Sequence, residues 1–200
     1  MAQNIVIVNT GCANISSVKF AVERLGVKVE VSDNVEIIKA ADKVFLPGVG
    51  SANAAMASIK EKQLVATIQG LTQPVLGICL GMQLMVEKSA ESLTDSTPCL
   101  NLIPGEVKRM QVGDLRLPHM GWNTVKPRAG AALFKGIPSG TYFYFVHSFA
   151  VAVSEFTLAS CQYGMDFSAA LHKDNFYGVQ FHPERSSDAG ALLLKNFIEL

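Results

Sequence analysis

The chain has 200 residues, 49% apolar and 17% charged, which fits one globular domain (1–200) with a full core and excludes a disordered chain. Seventeen basic residues balance seventeen acidic ones, so net charge gives no support for a nucleic-acid or membrane partner. No apolar run nears the ~20 residues of a bilayer span, and the opening MAQNIVIVNTG lacks the leader pattern of a secretory signal.

The first half alternates strand and helix. Ile5 to Val8 is a β-branched run, followed by a turn over Thr10-Gly11-Cys12-Ala13-Asn14. Ile15 to Leu25 carries Val18, Ala21, Val22 and Leu25 at helical spacing and stops at Gly26. Val27 to Val31 predicts a strand, Val35 to Ala41 a short helix, and Lys43 to Leu46 a strand that breaks at Pro47-Gly48-Val49-Gly50. A longer helix is expected from Ala52 to Gln69, then a strand from Pro74 to Ile78 and a helix starting at Leu80. Such alternation predicts an α/β fold, its sheet mostly parallel with helices on both faces.

The second half changes character. Strands are expected at 106–111, 122–125, 141–146, 156–161 and 169–172, punctuated by Pro, Gly and Asp. A last strand covers 175–181 and an amphipathic helix 188–198. These segments read as antiparallel additions to the same domain. Cys12, Cys79, Cys99 and Cys161 show no CxxC pair or metal-ligand spacing, so the expectation is no disulfide framework, no zinc site and a cytoplasmic location.

The sharpest local feature is Val75-Leu76-Gly77-Ile78-Cys79-Leu80-Gly81, an apolar strand running into G-x-C-x-G and then a helix. The pattern matches a nucleophile elbow with cysteine in place of serine. Glycines on either side let strand and helix approach closely, and a helix N-terminus favours a thiolate. The plain alternative is a buried core cysteine.

A thiolate nucleophile needs a base, and the base an orienting group. Of His119, His147, His172 and His182, only His182 has a carboxylate at fixed local spacing, in Gln180-Phe181-His182-Pro183-Glu184. Glu184 is expected to take a hydrogen bond from one ring nitrogen while the other faces Cys79. His119 and His147 read as structural. Pro47-Gly48-Val49-Gly50 ends a strand that can lie beside the one carrying Cys79, where parallel sheets open their sites. Its backbone at Val49 and Gly50, with the N–H of Leu80, can support an oxyanion. A simple turn or a phosphate cradle are the competing readings, although no Lys and Ser/Thr follow as in a P-loop.

Together these elements resemble the class I (triad) glutamine amidotransferases, with GICLGMQ at 77–83 similar to the nucleophile signature and FHPE at 181–184 to the base signature. PGVGSA at 47–52, LPHMGWN at 117–123, YFYFVHS at 142–148, NFYGVQFHPERSS at 175–187 and NTGCANISSV at 9–18 resemble one branch, the glutaminase subunits of imidazole glycerol phosphate synthase. The likeness covers essentially the whole chain. It implies the three-layer fold of the class and a Cys79–His182–Glu184 triad. It also implies an oxyanion hole at Leu80, Val49 and Gly50, with a Val49–Gly50 peptide that has to flip. Gln83 and Glu91 match substrate-binding positions, Glu91 toward the α-ammonium of glutamine, and Gly50, Ser148 and Phe149 positions whose backbone touches substrate. Asn14, Met120, Trp122, Asn123, Tyr144 and Arg185 match the face that docks on a (β/α)8-barrel cyclase subunit. Phe149 stands where a tyrosine is frequent and Arg185 where a lysine is frequent.

The implied activity is hydrolysis of glutamine to glutamate and ammonia without metal or organic cofactor. A cyclase partner, in a heterodimer, would consume the ammonia in histidine biosynthesis. The alternatives are a glutaminase subunit for anthranilate or pyridoxal phosphate synthesis, a cysteine-type γ-glutamyl hydrolase or peptidase, and a catalytically silent binding module.

Overall fold

The computed structural model describes residues 3–11, 14–91 and 96–200; Cys12 and Ala13 of the expected first turn lie outside them. A nine-stranded sheet forms the middle layer. Its parallel half consists of β1 (Ile5–Val8), β2 (Val29–Ser32), β3 (Lys43–Gly48) and β4 (Val75–Cys79). Short strands β5 (Lys88–Ser89), β6 (Thr97–Pro98) and β7 (Glu106–Arg109) follow, then β8 (His119–Pro127), β9 (Thr141–His147) and β10 (Phe149–Val151). Last come β11 (Thr157–Gln162), β12 (Asp166–Lys173) and β13 (Phe176–Val179). The order is β2-β1-β3-β4-β13-β12-β11-β8-β9, while β10-β7-β5-β6 make a small second sheet. The pairs from β2 to β13 are parallel and those from β13 to β9 antiparallel.

The helices are α1 (Ile15–Glu23), α2 (Val35–Lys39), α3 (Ala52–Glu61), α4 (Val65–Gln69), α5 (Leu80–Gln83) and α6 (Ser187–Glu199). Strand alternation divides the core between the two faces of the sheet. Ile5, Ile7, Phe45 and Ile78 pack with α1 and α6 on one side, and Val6, Val8, Val44 and Leu46 with α3 and α4 on the other. Buried on both faces, β1, β3 and β4 read as continuous apolar runs. Among the described residues no helix is long and apolar enough to cross a membrane.

Three departures from the sequence reading have local causes. The helix expected over 52–69 is two, because Gln63 takes φ 58° and the N–H of Leu64 closes on the carbonyl of Ile59 at 3.0 Å. That closure resembles the usual left-handed helix end, made here by glutamine where glycine is the common signal. The helix after Cys79 is one turn: the carbonyls of Leu84, Met85 and Val86 accept from Leu100, Leu102 and Asn101 instead of continuing it. The last strand stops at Val179, so His182 caps, and Glu184 lies within, a 3-10 turn at Pro183–Arg185 beyond the sheet. The strands at 88–89, 97–98 and 149–151 are too short to show a period and were not expected.

Candidate active site

Register brings the elbow and the glycine loop together. Gly48 on β3 lies opposite Cys79 on β4, so both strands end at the same level and Val49, Gly50, Cys79 and Leu80 line one cleft of about 330 Å³. Cys79 takes φ 54°, ψ −111°, a left-handed conformation that a non-glycine residue holds only when its surroundings enforce it. The enforcement is close packing: a Cβ on Gly81 would overlap the carbonyl oxygen of Leu46, and one on Gly77 would lie 2.8 Å from the backbone of Gly81 and Met82.

The 3-10 turn presents His182 to this cleft, with Nδ1 2.7 Å from Oε1 of Glu184. Both side chains are nearly inaccessible, 8% and 3% exposed. Among the described residues, Nε2 of His182 is buried without a hydrogen-bond partner, as is Oε2 of Glu184. Burial works to lower the pKa of His182, but the nearby Cys79 sulfur and the Glu184 carboxylate outweigh it and raise the pKa to about 10. Cys79 thus influences the imidazole without making a formed hydrogen bond to it, as resting sites often show. Burial pushes the Cys99 thiol up to about 11 and the Cys161 thiol to about 12, so both are disfavoured as nucleophiles.

Gln83, Glu91, Ser148 and Phe149 line the same cleft, together with Asn14 and Arg185. Gln83 is buried, and its Nε2 donates to the carbonyl of Phe149 at 3.0 Å and to Oε1 of Gln180 at 2.9 Å. One oxygen of Glu91 accepts the N–H of Ala52 at 2.9 Å, at the start of α3.

Met120 and Trp122 are exposed on β8, with Tyr144 opposite Trp122 on β9. Their rings meet edge to face at 6.1 Å, and the Arg185 guanidinium lies 4.6 Å from the Tyr144 ring centre. Asn123 belongs to the other face of β8. Its Nδ2 donates to the carbonyl of Gln162 at 2.9 Å and reaches Nε2 of His119 at 3.2 Å, so it does not join that exposed patch.

His119 and His147 share a hydrogen bond of 3.0 Å between Nδ1 and Nε2, and Nδ1 of His147 donates to the carbonyl of Phe149 at 2.9 Å. Burial lowers the pKa of His119 to about 4 and that of His147 to about 3. Gln180 and Ser186 escaped the sequence reading. Gln180 is fully buried, with Nε2 3.8 Å from Cys79 Sγ; standing two residues before His182 was the available signal. Among the described residues no His, Cys, Asp and Glu cluster could hold a metal ion.

Residues 6–200 match the family model of the class-I glutamine amidotransferases. The imidazole glycerol phosphate synthase subunit HisH of Colwellia psychrerythraea is 58% identical, over 98% of this chain and 92% of its own. The HisH subunits of Vibrio cholerae and Haemophilus influenzae are 55% and 58% identical, covering 100% and 98% of this chain and 100% and 97% of theirs. In fold it is similar to a putative GMP synthase protein of Thermoplasma acidophilum, with a TM-score of 0.74 at 18% identity, over 100% of this chain and 94% of that one. The chain belongs to the class-I glutamine amidotransferases and, within them, to the HisH subunits of imidazole glycerol phosphate synthase.

Proposed function

We propose that Cys79, His182 and Glu184 are the nucleophile, the acid–base and its orienting carboxylate of glutamine hydrolysis in histidine biosynthesis. The observation that carries the assignment is His182 itself, with Nδ1 committed to Glu184 at 2.7 Å and Nε2 left open in the cleft that Cys79 lines. The thiolate attacks the γ-carboxamide carbon of glutamine, forming a C–S bond and an oxyanion. The N–H of Leu80 and a donor from the Val49–Gly50 peptide support that charge. The His182 imidazolium gives its proton to the departing nitrogen, and ammonia leaves as the γ-glutamyl thioester forms. Neutral His182 then takes a proton from water, whose oxygen attacks the thioester and releases glutamate and thiolate. Gln83, Glu91 and the backbone of Ser148 and Phe149 hold the substrate, and the other carboxylate oxygen of Glu91 faces its α-ammonium.

The ammonia goes to the other subunit of the synthase, a (β/α)8-barrel cyclase in our reading, in the cytoplasm. Exposed Met120, Trp122 and Tyr142, at 63%, 52% and 59%, form an apolar face that supports this docking, with Tyr144 opposite Trp122, Arg185 against the Tyr144 ring and Asn14 in the neighbouring cleft. The test is ammonia release from glutamine, with and without the cyclase and its nucleotide. Cys79→Ala should abolish it, while the complex still makes product from ammonium salt. Substantial glutaminase activity in Cys79→Ala would remove Cys79 from the mechanism.

A further inference from the structure

We propose that Gln180 is a donor to the reacting sulfur, fixed in that sense by a one-way chain of hydrogen bonds, and that it supports the thiolate of Cys79. The reading rests on Cys79 being the nucleophile, but its test needs no glutamine. The direction of the chain follows from one backbone atom. The carbonyl of Phe149 can only accept, and Gln83 meets it at 3.0 Å, so Gln83 presents its amide nitrogen there. The second N–H of that nitrogen points to Gln180 at 2.9 Å, which must therefore offer Oε1. The amide nitrogen of Gln180 is left facing Sγ of Cys79, at 3.8 Å. The amide of Gln180 thus has one possible sense, and it puts N–H groups on the sulfur.

The other side of the same carbonyl is equally determined. Oδ1 of Asn123 accepts the N–H of Thr124 at 2.7 Å and Nδ2 donates to the carbonyl of Gln162, so Asn123 shows only N–H to His119 Nε2. His119 then carries its proton on Nδ1 and donates to His147, which carries its own on Nδ1 and donates to Phe149. Both rings are held neutral by burial, which keeps every step in one direction. The Phe149 carbonyl accepts from both sides and stays pinned between them. A hydrogen bond from a neutral amide strengthens when its acceptor becomes charged. Gln180 therefore favours the thiolate over the thiol.

The experiment measures the rate at which iodoacetamide alkylates Cys79, across pH, together with the ultraviolet absorbance of the thiolate. Gln180→Met keeps the volume and removes the donor; Gln180→Glu keeps the volume and offers an acceptor. Alkylation at neutral pH should slow about tenfold in Gln180→Met, the worth of one hydrogen bond to a charged group. It should slow further in Gln180→Glu, with thiolate absorbance falling in the same order and the rate profile moving to higher pH. Profiles and absorbance unchanged in both folded variants would overturn the proposal, since a space-filling role moves neither. If neither variant folds, the wild type decides: blocking Cys79 should move the side-chain amide resonances of Gln180, and unmoved resonances overturn the assignment. Normal thiolate behaviour with no glutaminase activity in the nucleotide-bound complex would instead count against the proposed function and leave the role of Gln180 standing.

Discussion

The N–H of His182 donates to the carbonyl of Tyr144 at 2.9 Å. The hydroxyl of Ser186 completes the joint, accepting the N–H of Tyr144 at 3.0 Å and donating to the carbonyl of His182 at 2.7 Å. The proposed base and the exposed aromatic strand are thus joined backbone to backbone. Ser186→Ala leaves a Tyr144 N–H without a partner beside a buried residue. It should cost about 1–3 kcal/mol in denaturant unfolding and lower kcat more than it raises KM. Unchanged kcat would show that the joint does not position His182.

Glu184→Gln should reduce kcat about 10²–10⁴-fold, with little change in substrate affinity, because an amide cannot stabilise the imidazolium. Glu91 needs a gentler change than alanine, since it also holds the N–H of Ala52. Glu91→Gln keeps an acceptor for that N–H and removes the charge, so it should chiefly raise KM. Steady-state kinetics on both variants test the division of roles; the opposite pattern would exchange them.

Stability should fall on both sides of neutrality. His119 and His147 have folded pKa values of about 4 and about 3, below the ordinary 6.5. Their contribution is complete above 6.5 and lost as pH falls toward those values. His182 runs the other way: its pKa is raised to about 10, so its contribution is complete below 6.5 and lost as pH rises through about 10. Urea midpoints measured across pH check both limbs. His147→Gln, which cannot charge, should flatten the acid limb.

Gly81→Ala should destabilise the fold by about 3 kcal/mol or more, since its methyl group, on α5, meets backbone at Leu46 on β3 and neither element can yield cheaply. A thermal unfolding midpoint close to that of the parent would show that the elbow can relax.

The isolated chain should be a poor glutaminase that docking switches on. Gly50 sits at φ +90° beside exposed Val49, so the peptide between them meets little steric resistance to rotation. A missing oxyanion donor costs about 10²–10³ in rate. Assays on the free chain, the unliganded complex and the nucleotide-bound complex test this, and equal rates in all three would contradict it.

Much of this was legible in the sequence because it is carried by short-range patterns. The apolar runs at Ile5–Val8 and Val75–Cys79, the glycines around Cys79 and the two-residue spacing of His182 and Glu184 all lie within a few positions of each other. What was not legible depends on distant chain. The helix after Cys79 ends early because Leu100 to Ile103 captures the carbonyls of Leu84, Met85 and Val86, which would have continued it. Asn123, beside Trp122 in sequence, turns inward because the neighbouring β11 offers the Gln162 carbonyl. Gln180 and the two neutral histidines gain meaning only when β4, β8, β9, β10, β11 and α5 converge.

The place of β13 in the sheet bears on how this protein is born. It lies between β4 and β12, and Gln180, just past its end, is separated from Cys79 by 101 positions. A ribosome therefore finishes the nucleophile strand long before the strand that covers its flank. Until then β4 has an open, wholly apolar edge, the kind on which chains join the wrong neighbour. On the proposed assignment, the same delay keeps the nascent thiol without its base. A half-made chain would then leave glutamine untouched, and the late stretch that closes the sheet would arm the site in the same step.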